Sequence, residues 1–157
     1  MTLRIPRPLY DQLRKHGEQT YPYECCGVLV GELDRAKGST VKAVFPCSNA
    51  LGNLSQKRYL ISPSELVRIQ GEAILVGCYI VGFYHSHPDI PAQWSATDLA
   101  GAQWPGCSYV ITSIERGRAT VTNSFLLQRL EDTMCFEEED IHHDWIGVSE
   151  ACSGPIG

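Results

Sequence analysis

Two histidines and an aspartate stand at a spacing that can gather a metal ion. His85-Ser86-His87-Pro88 closes the run Cys78 to Ser86, whose apolar and aromatic residues read as a central strand. Side chains alternate along a strand, so His85 and His87 project from one face and Ser86 from the other. Two imidazoles on one side at that spacing can share a metal. Seven residues, Pro88 to Trp94, separate them from Ser95-Ala96-Thr97-Asp98. That loop is long enough to fold the first turn of a following helix, with Asp98, back over the strand end. Three protein ligands and an open fourth position are the pattern of a catalytic zinc, whereas structural sites are closed by four. Each piece also has a plainer reading. A His-x-His pair on a strand is more often surface or core histidine. Ser95 and Asp98 form a capping box, and Glu24 alone is an ordinary turn or strand-edge glutamate. His142-His143 is a weaker candidate pair, set in an acidic stretch without a partner cysteine.

The elements around these residues follow from periodicity and punctuation. Pro8 to His16 reads as a helix with Leu9, Leu13 and His16 on one side, and Gly17 is its expected stop. Cys26 to Gly31 reads as a buried strand, Thr40 to Phe45 as a strand ended by Pro46, and Tyr59 to Ile61 as a short extended piece. Ser62-Pro63-Ser64-Glu65 opens a helix that runs to about Leu75. Ser95 opens a shorter one to about Gln103, broken at Trp104-Pro105-Gly106. Ser108 to Ile114 and Ala119 to Arg129 read as strands around Arg116-Gly117, with a further short strand at Met134 to Phe136. The fold class expected is α/β of the α+β kind: a single domain with a mostly antiparallel mixed sheet wrapped on helices. The expected domain spans residues 1–136, followed by an acidic, mobile tail over 137–157.

At 157 residues the chain is one domain's worth, and 43% apolar with 20% charged residues excludes wholesale disorder. A net charge of −5 argues against a nucleic-acid partner bound through a broad basic face. No stretch approaches the ~20 apolar residues of a membrane span, and the N-terminus lacks the apolar core of a signal peptide. The expected location is therefore cytoplasmic. The seven cysteines are odd in number and scattered without a C-x-x-C pair, so they suggest neither a zinc ribbon nor a disulfide framework. Most read as small buried hydrophobes.

The full combination resembles the JAMM (MPN-plus) family of zinc metalloproteases, whose pattern is an upstream glutamate, His-Ser/Thr-His, seven residues and Ser-x-x-Asp. Here these are Glu24, His85-Ser86-His87, Pro88 to Trp94 and Ser95 to Asp98. Pro22 to Gly31 is similar to the family's first strand, Tyr59 to Leu66 to the approach to its second helix, and Pro105 to Ile111 to the strand after the metal helix. The short form is similar to stand-alone prokaryotic members. Trp94 departs from the pattern, since small residues or proline are more familiar before the serine; the expectation is a narrower site mouth.

The resemblance implies a cytidine-deaminase-like JAMM architecture and Zn²⁺ on His85, His87 and Asp98. It implies Glu24 as general base and then acid, and Ser95 as donor to the developing oxyanion. It also implies a partner: a ubiquitin-like or sulfur-carrier β-grasp protein, cleaved after its C-terminal Gly-Gly. Two other classes compete with this one. A catalytically silent MPN scaffold would have lost ligands, and all are present here. A zinc deaminase would need His-x-Glu and Pro-Cys-x-x-Cys, and Pro105-Gly106-Cys107 has no second cysteine at that spacing.

Overall fold

The computed structural model describes residues 1–52, 56 and 58–146. In chain order the elements are β1 (Thr2–Arg4), α1 (Arg7–Thr20), β2 (Cys26–Glu32), β3 (Thr40–Cys47), α2 (Pro63–Leu75), β4 (Tyr79–Pro88), α3 (Ala96–Gly101), β5 (Ser108–Glu115), β6 (Arg118–Leu130) and β7 (Thr133–His142). The strands run in the order β1-β3-β2-β4-β5-β6-β7 and the sheet closes into a barrel. β4 pairs with β5 in parallel, and β1 runs parallel to both β3 and β7; the remaining pairs are antiparallel. No helix among the described residues is long and apolar enough to cross a membrane.

Alternation along the strands splits the core between two faces. Leu29, Val81, Tyr84 and Val110 pack with Leu13 of α1 and with Leu3 and Ile5. Val28, Val30, Phe83 and Tyr109 pack on the other face with Ile69 and Ala73 of α2. α1 thus lies against β3, β4, β5 and β6, while α2 covers β2 and β4. The histidines, two residues beyond Phe83 and four beyond it, belong to the α2 face.

Several expectations change. The closed barrel goes beyond a wrapped sheet, and what closes it is β1, a strand three residues long that is too short to show a periodic pattern. Its Leu3 is fully buried. Helix α1 does not stop at Gly17. A Cβ there would lie 2.7 Å from Ile114 Cδ1, so this glycine serves close helix–sheet packing rather than termination. β3 continues through Pro46, where among the described residues β2 is its sole pairing partner, the edge position at which a strand tolerates proline. The boundary expected at residue 136 falls inside β7, and the acidic run is strand rather than tail. Glu139 points inward and accepts hydrogen bonds from Ser124 Oγ, at 2.7 Å, and from Ser108 Oγ, while Ile141 packs against the α1-side core. Alternation, not net charge, decides that segment. The rest of the expected tail, from 147 onward, lies outside the described residues.

Gly27 is the tightest point of the sheet. A Cβ there would sit 2.1 Å from a carbon at the hydroxyl end of the Tyr84 ring, and that hydroxyl is held by His16 Nδ1 at 2.7 Å. The ring cannot swing away without breaking this half-buried hydrogen bond. Gly27→Ala is therefore expected to cost at least ~1–3 kcal/mol, the usual range for overpacking, and a denaturant midpoint unchanged from wild type would show that the ring yields freely.

Candidate active site

Strand register brings the site together. β2 and β4 pair with Cys26 opposite His85, and just before the ladder Ser86 N–H donates to the Cys25 carbonyl at 3.3 Å. In return the Cys25 N–H donates to Ser86 Oγ at 2.8 Å. Continued by one step, the same register sets Glu24 opposite His87 and on the face of both histidines. Ser86 is fully buried on the α1 side, where its hydroxyl fastens the segment carrying Glu24 to the strand carrying the histidines.

The loop from Pro88 to Trp94 is fastened as firmly. Asp89 takes a left-handed φ of 59° and accepts hydrogen bonds from Tyr21 Oη and the Arg116 N–H. Ser113 Oγ donates to the Ile90 carbonyl at 2.7 Å and Asn123 Nδ2 to the Ala92 carbonyl at 2.9 Å. His87 Nδ1 donates to the Pro91 carbonyl at 2.8 Å. Ser113 and Asn123 carry no sequence signal for this work; they read as ordinary strand residues until β5 and β6 are placed beside the loop. The loop then delivers α3, whose capping box is complete. The Asp98 N–H donates to Ser95 Oγ at 3.1 Å, and the Ser95 N–H donates to Asp98 Oδ2 at 2.9 Å. The plain reading of this pair is correct, and it also aims the carboxylate.

Asp98 Oδ1 lies 3.2 Å from His85 Nε2, Asp98 Oδ2 lies 3.1 Å from His87 Nε2, and the two Nε2 atoms are 3.2 Å apart. Both histidines are buried. Among the described residues, these three form the group suited to a metal ion, with one ligand atom from each lying within 4.8 Å of the others. The donor count supports the fit. A carbonyl can only accept, so His87 Nδ1 carries the hydrogen and the neutral ring offers a lone pair at Nε2. That lone pair faces a carboxylate and a second Nε2. Such a set of acceptors is stable around a cation.

The titration behaviour has the same origin. Without a cation, protons on the ring Nε2 atoms take its place: burial alone would raise the Asp98 carboxyl, but hydrogen bonds from the protonated His85 and His87 rings outweigh it and hold Asp98 well below the usual carboxylate range. Burial lowers His85. For His87 the burial effect is exceeded by its bonds to Asp98 and the Pro91 carbonyl, which raise it. Glu24 is buried with Oε1 lacking a hydrogen-bond partner, and burial pushes its carboxyl up to about 8. A cation held by the three ligands acts in the opposite direction and favours the carboxylate.

A cleft of about 580 Å³ reaches the site along α3, between Asp98 and the segment from Tyr59 to Leu66. Phe83, Trp104 and Tyr109 are among its apolar lining residues. Trp94 is 40% exposed and leans on Phe136, with ring centroids 5.6 Å apart.

Residues 6–127 match the family model described as prokaryotic homologs of the JAB domain. The chain belongs to this family. A protein named desampylase from Haloferax volcanii is 42% identical over 99 residues, 63% of this chain and 68% of that protein. A probable TtuB-protein conjugate cleaving protease from Thermus thermophilus is 29% identical over 119 residues, 76% of this chain and 75% of that one. A solution structure of a protein from Desulfitobacterium hafniense superposes with a TM-score of 0.73 at 28% identity, over 91% of this chain and 94% of that one. As a JAB-domain protein of this kind the chain is a JAMM-type hydrolase. His142 and His143 stand apart from its ligand group: His142 packs on Trp145, and His143 stacks on Tyr10 with ring centroids 4.0 Å apart.

Proposed function

We propose that the chain is a zinc-dependent (iso)peptidase that hydrolyses the bond after the C-terminal Gly-Gly of a ubiquitin-like or sulfur-carrier β-grasp protein. The observation that carries the reading is Glu24: a buried carboxyl with one oxygen unpartnered among the described residues, close enough to His87 and Asp98 for their charges to act on it. The relatives' names, a desampylase and a protease that cleaves protein conjugates, support the substrate class.

His85, His87 and Asp98 would hold the zinc, which when bound supplies Lewis acidity toward water and the scissile carbonyl. Glu24 accepts a proton from the attacking water at its free carboxylate oxygen and delivers it to the leaving amine. Ser95 Oγ accepts the Asp98 N–H, so its own hydrogen is left to donate to the carbonyl oxygen as that atom becomes negative. A donor of this kind is worth ~3–4 kcal/mol in the barrier. Burial keeps bulk water from Glu24 and strengthens each of these interactions. The reading includes a cytoplasmic setting; among the described residues Cys25, Cys26, Cys47, Cys107 and Cys135 are free thiols. Burial pushes Cys25, Cys26 and Cys107 up to about 12, so these thiols are inert rather than nucleophilic at neutral pH.

The tail of the substrate would lie extended beside the loop from Pro88 to Trp94, as peptides do in strand addition. Glycine lets the backbone approach the ligands closely, and a side chain there would meet the loop. Two glycines offer little surface, so affinity must come from the folded body of the substrate. The test is cleavage of a β-grasp fusion with Gly-Gly, Gly-Val or Val-Gly at its junction. Each valine is expected to lower kcat/KM by at least about tenfold, or ~1.4 kcal/mol. Equal rates for all three junctions would sink the Gly-Gly specificity.

A further inference from the structure

We infer that Tyr59, locked in place by Asn49, is a positioning residue for His85. The inference rests on the metal-site reading above. The two histidines are held in unlike ways. His87 is fixed by the hydrogen bond from its Nδ1 to the Pro91 carbonyl. His85 Nδ1 is buried and has no hydrogen-bond partner among the described residues. Metal-binding imidazoles are ordinarily oriented through the nitrogen that does not face the metal, and His85 lacks that restraint. Its ring is instead covered by the ring of Tyr59, stacked with centroids 4.4 Å apart and planes 24° from parallel. The His87 ring, 5.0 Å away, borders it as well. Packing between Tyr59 and His87 does for His85 what a hydrogen bond does for His87.

Tyr59 comes from a segment with no regular secondary structure, so something else must hold it. Asn49 does so on both sides. Its Nδ2 donates to the Arg58 carbonyl at 2.9 Å, and its Oδ1 accepts the Leu60 N–H at 3.1 Å. The same amide accepts the Leu51 N–H at 3.1 Å and donates to the Glu24 carbonyl at 3.4 Å. All four hydrogen-bonding positions of the carboxamide are used. One side chain therefore ties the residue stacked on His85 to the backbone of Glu24, and the segment Arg58 to Leu60 becomes a fixed wall of the site.

The test measures zinc affinity by competition with a chromophoric chelator, with His-ring NMR of the metal-free protein as a second reading. Tyr59→Phe keeps the stack and is expected to keep the affinity. Tyr59→Leu is expected to weaken zinc binding by ~10–100-fold, as loss of an outer partner does, and to shift the His85 ring signals while leaving those of His142 and His143 in place. Asn49→Ser loosens the loop without touching either ring, and provides the same comparison if Tyr59→Leu does not fold. Wild-type affinity in a folded Tyr59→Leu or Asn49→Ser protein would overturn the inference, as would equal losses for Phe and Leu. His87→Ala is the reference variant: full zinc affinity there would remove the metal site itself, and this inference with it.

Discussion

Glu24→Gln is expected to lower kcat by at least ~100-fold, the low end of what a general base contributes, with metal content unchanged. Glutamine has nearly the same shape and size, so the packing around Cys25 and the bond between Ser86 and the Cys25 N–H survive the change. What is lost is the ability to take up a proton. Stability should move the other way. In the metal-free protein burial raises the Glu24 carboxyl from its usual 4.5 to about 8. Between those values the folded state holds a proton that the unfolded chain releases, so wild-type stability falls as pH rises through that window. Glutamine removes this loss. Thermal melts of the metal-free proteins at pH 5 and pH 8 should therefore converge for Glu24→Gln relative to wild type. Metal content by mass spectrometry and rates on the Gly-Gly fusion complete the measurement. Near-normal kcat in a metal-loaded Glu24→Gln enzyme would remove Glu24 from the mechanism.

The sequence was most informative where one local rule was enough. A period of two set His85 and His87 on one face, and a serine three residues before an aspartate capped α3; both follow from neighbours along the chain. The helix bounds of α2 were legible for the same reason, through Ser62, Pro63 and Glu65. What stayed hidden depends on residues far apart in sequence. Nothing near Gly17 announces that Ile114 presses on it, so a packing glycine looked like a stop. Nothing near Glu139 announces Ser108 and Ser124, so an inward strand residue looked like part of an acidic tail. Asn49, Ser113 and Asn123 hold the walls of the site through bonds to backbone carbonyls, and polar residues in loops and strands make such bonds without a sequence signature.

His87→Ala is expected to lose most of the bound zinc, while His142→Ala and His143→Ala keep it. The distinction follows from geometry. His87 supplies one of three converging ligand atoms, and its Nδ1 is committed to the Pro91 carbonyl, so no other nitrogen of that ring can take over. His142 and His143 lie at the end of β7 among Tyr10, Asp144 and Trp145 rather than with the ligand group. Metal removal offers an independent check on the same claim. A ligand that binds only the folded state stabilises it by about 2.7 kcal/mol at a hundred times its Kd. For a domain of this size that corresponds to ~5–10 °C in Tm. A strong chelator should therefore lower the Tm of wild type and of the His142→Ala and His143→Ala variants by that amount, and leave His87→Ala where it was. The metal-free His87→Ala protein should still fold, because Asp98 keeps its hydrogen bond from the Ser95 N–H and its contact with His85 Nε2. Equal zinc loss from His142→Ala or His143→Ala, or a chelator response in His87→Ala as large as in wild type, would move the metal away from His85, His87 and Asp98.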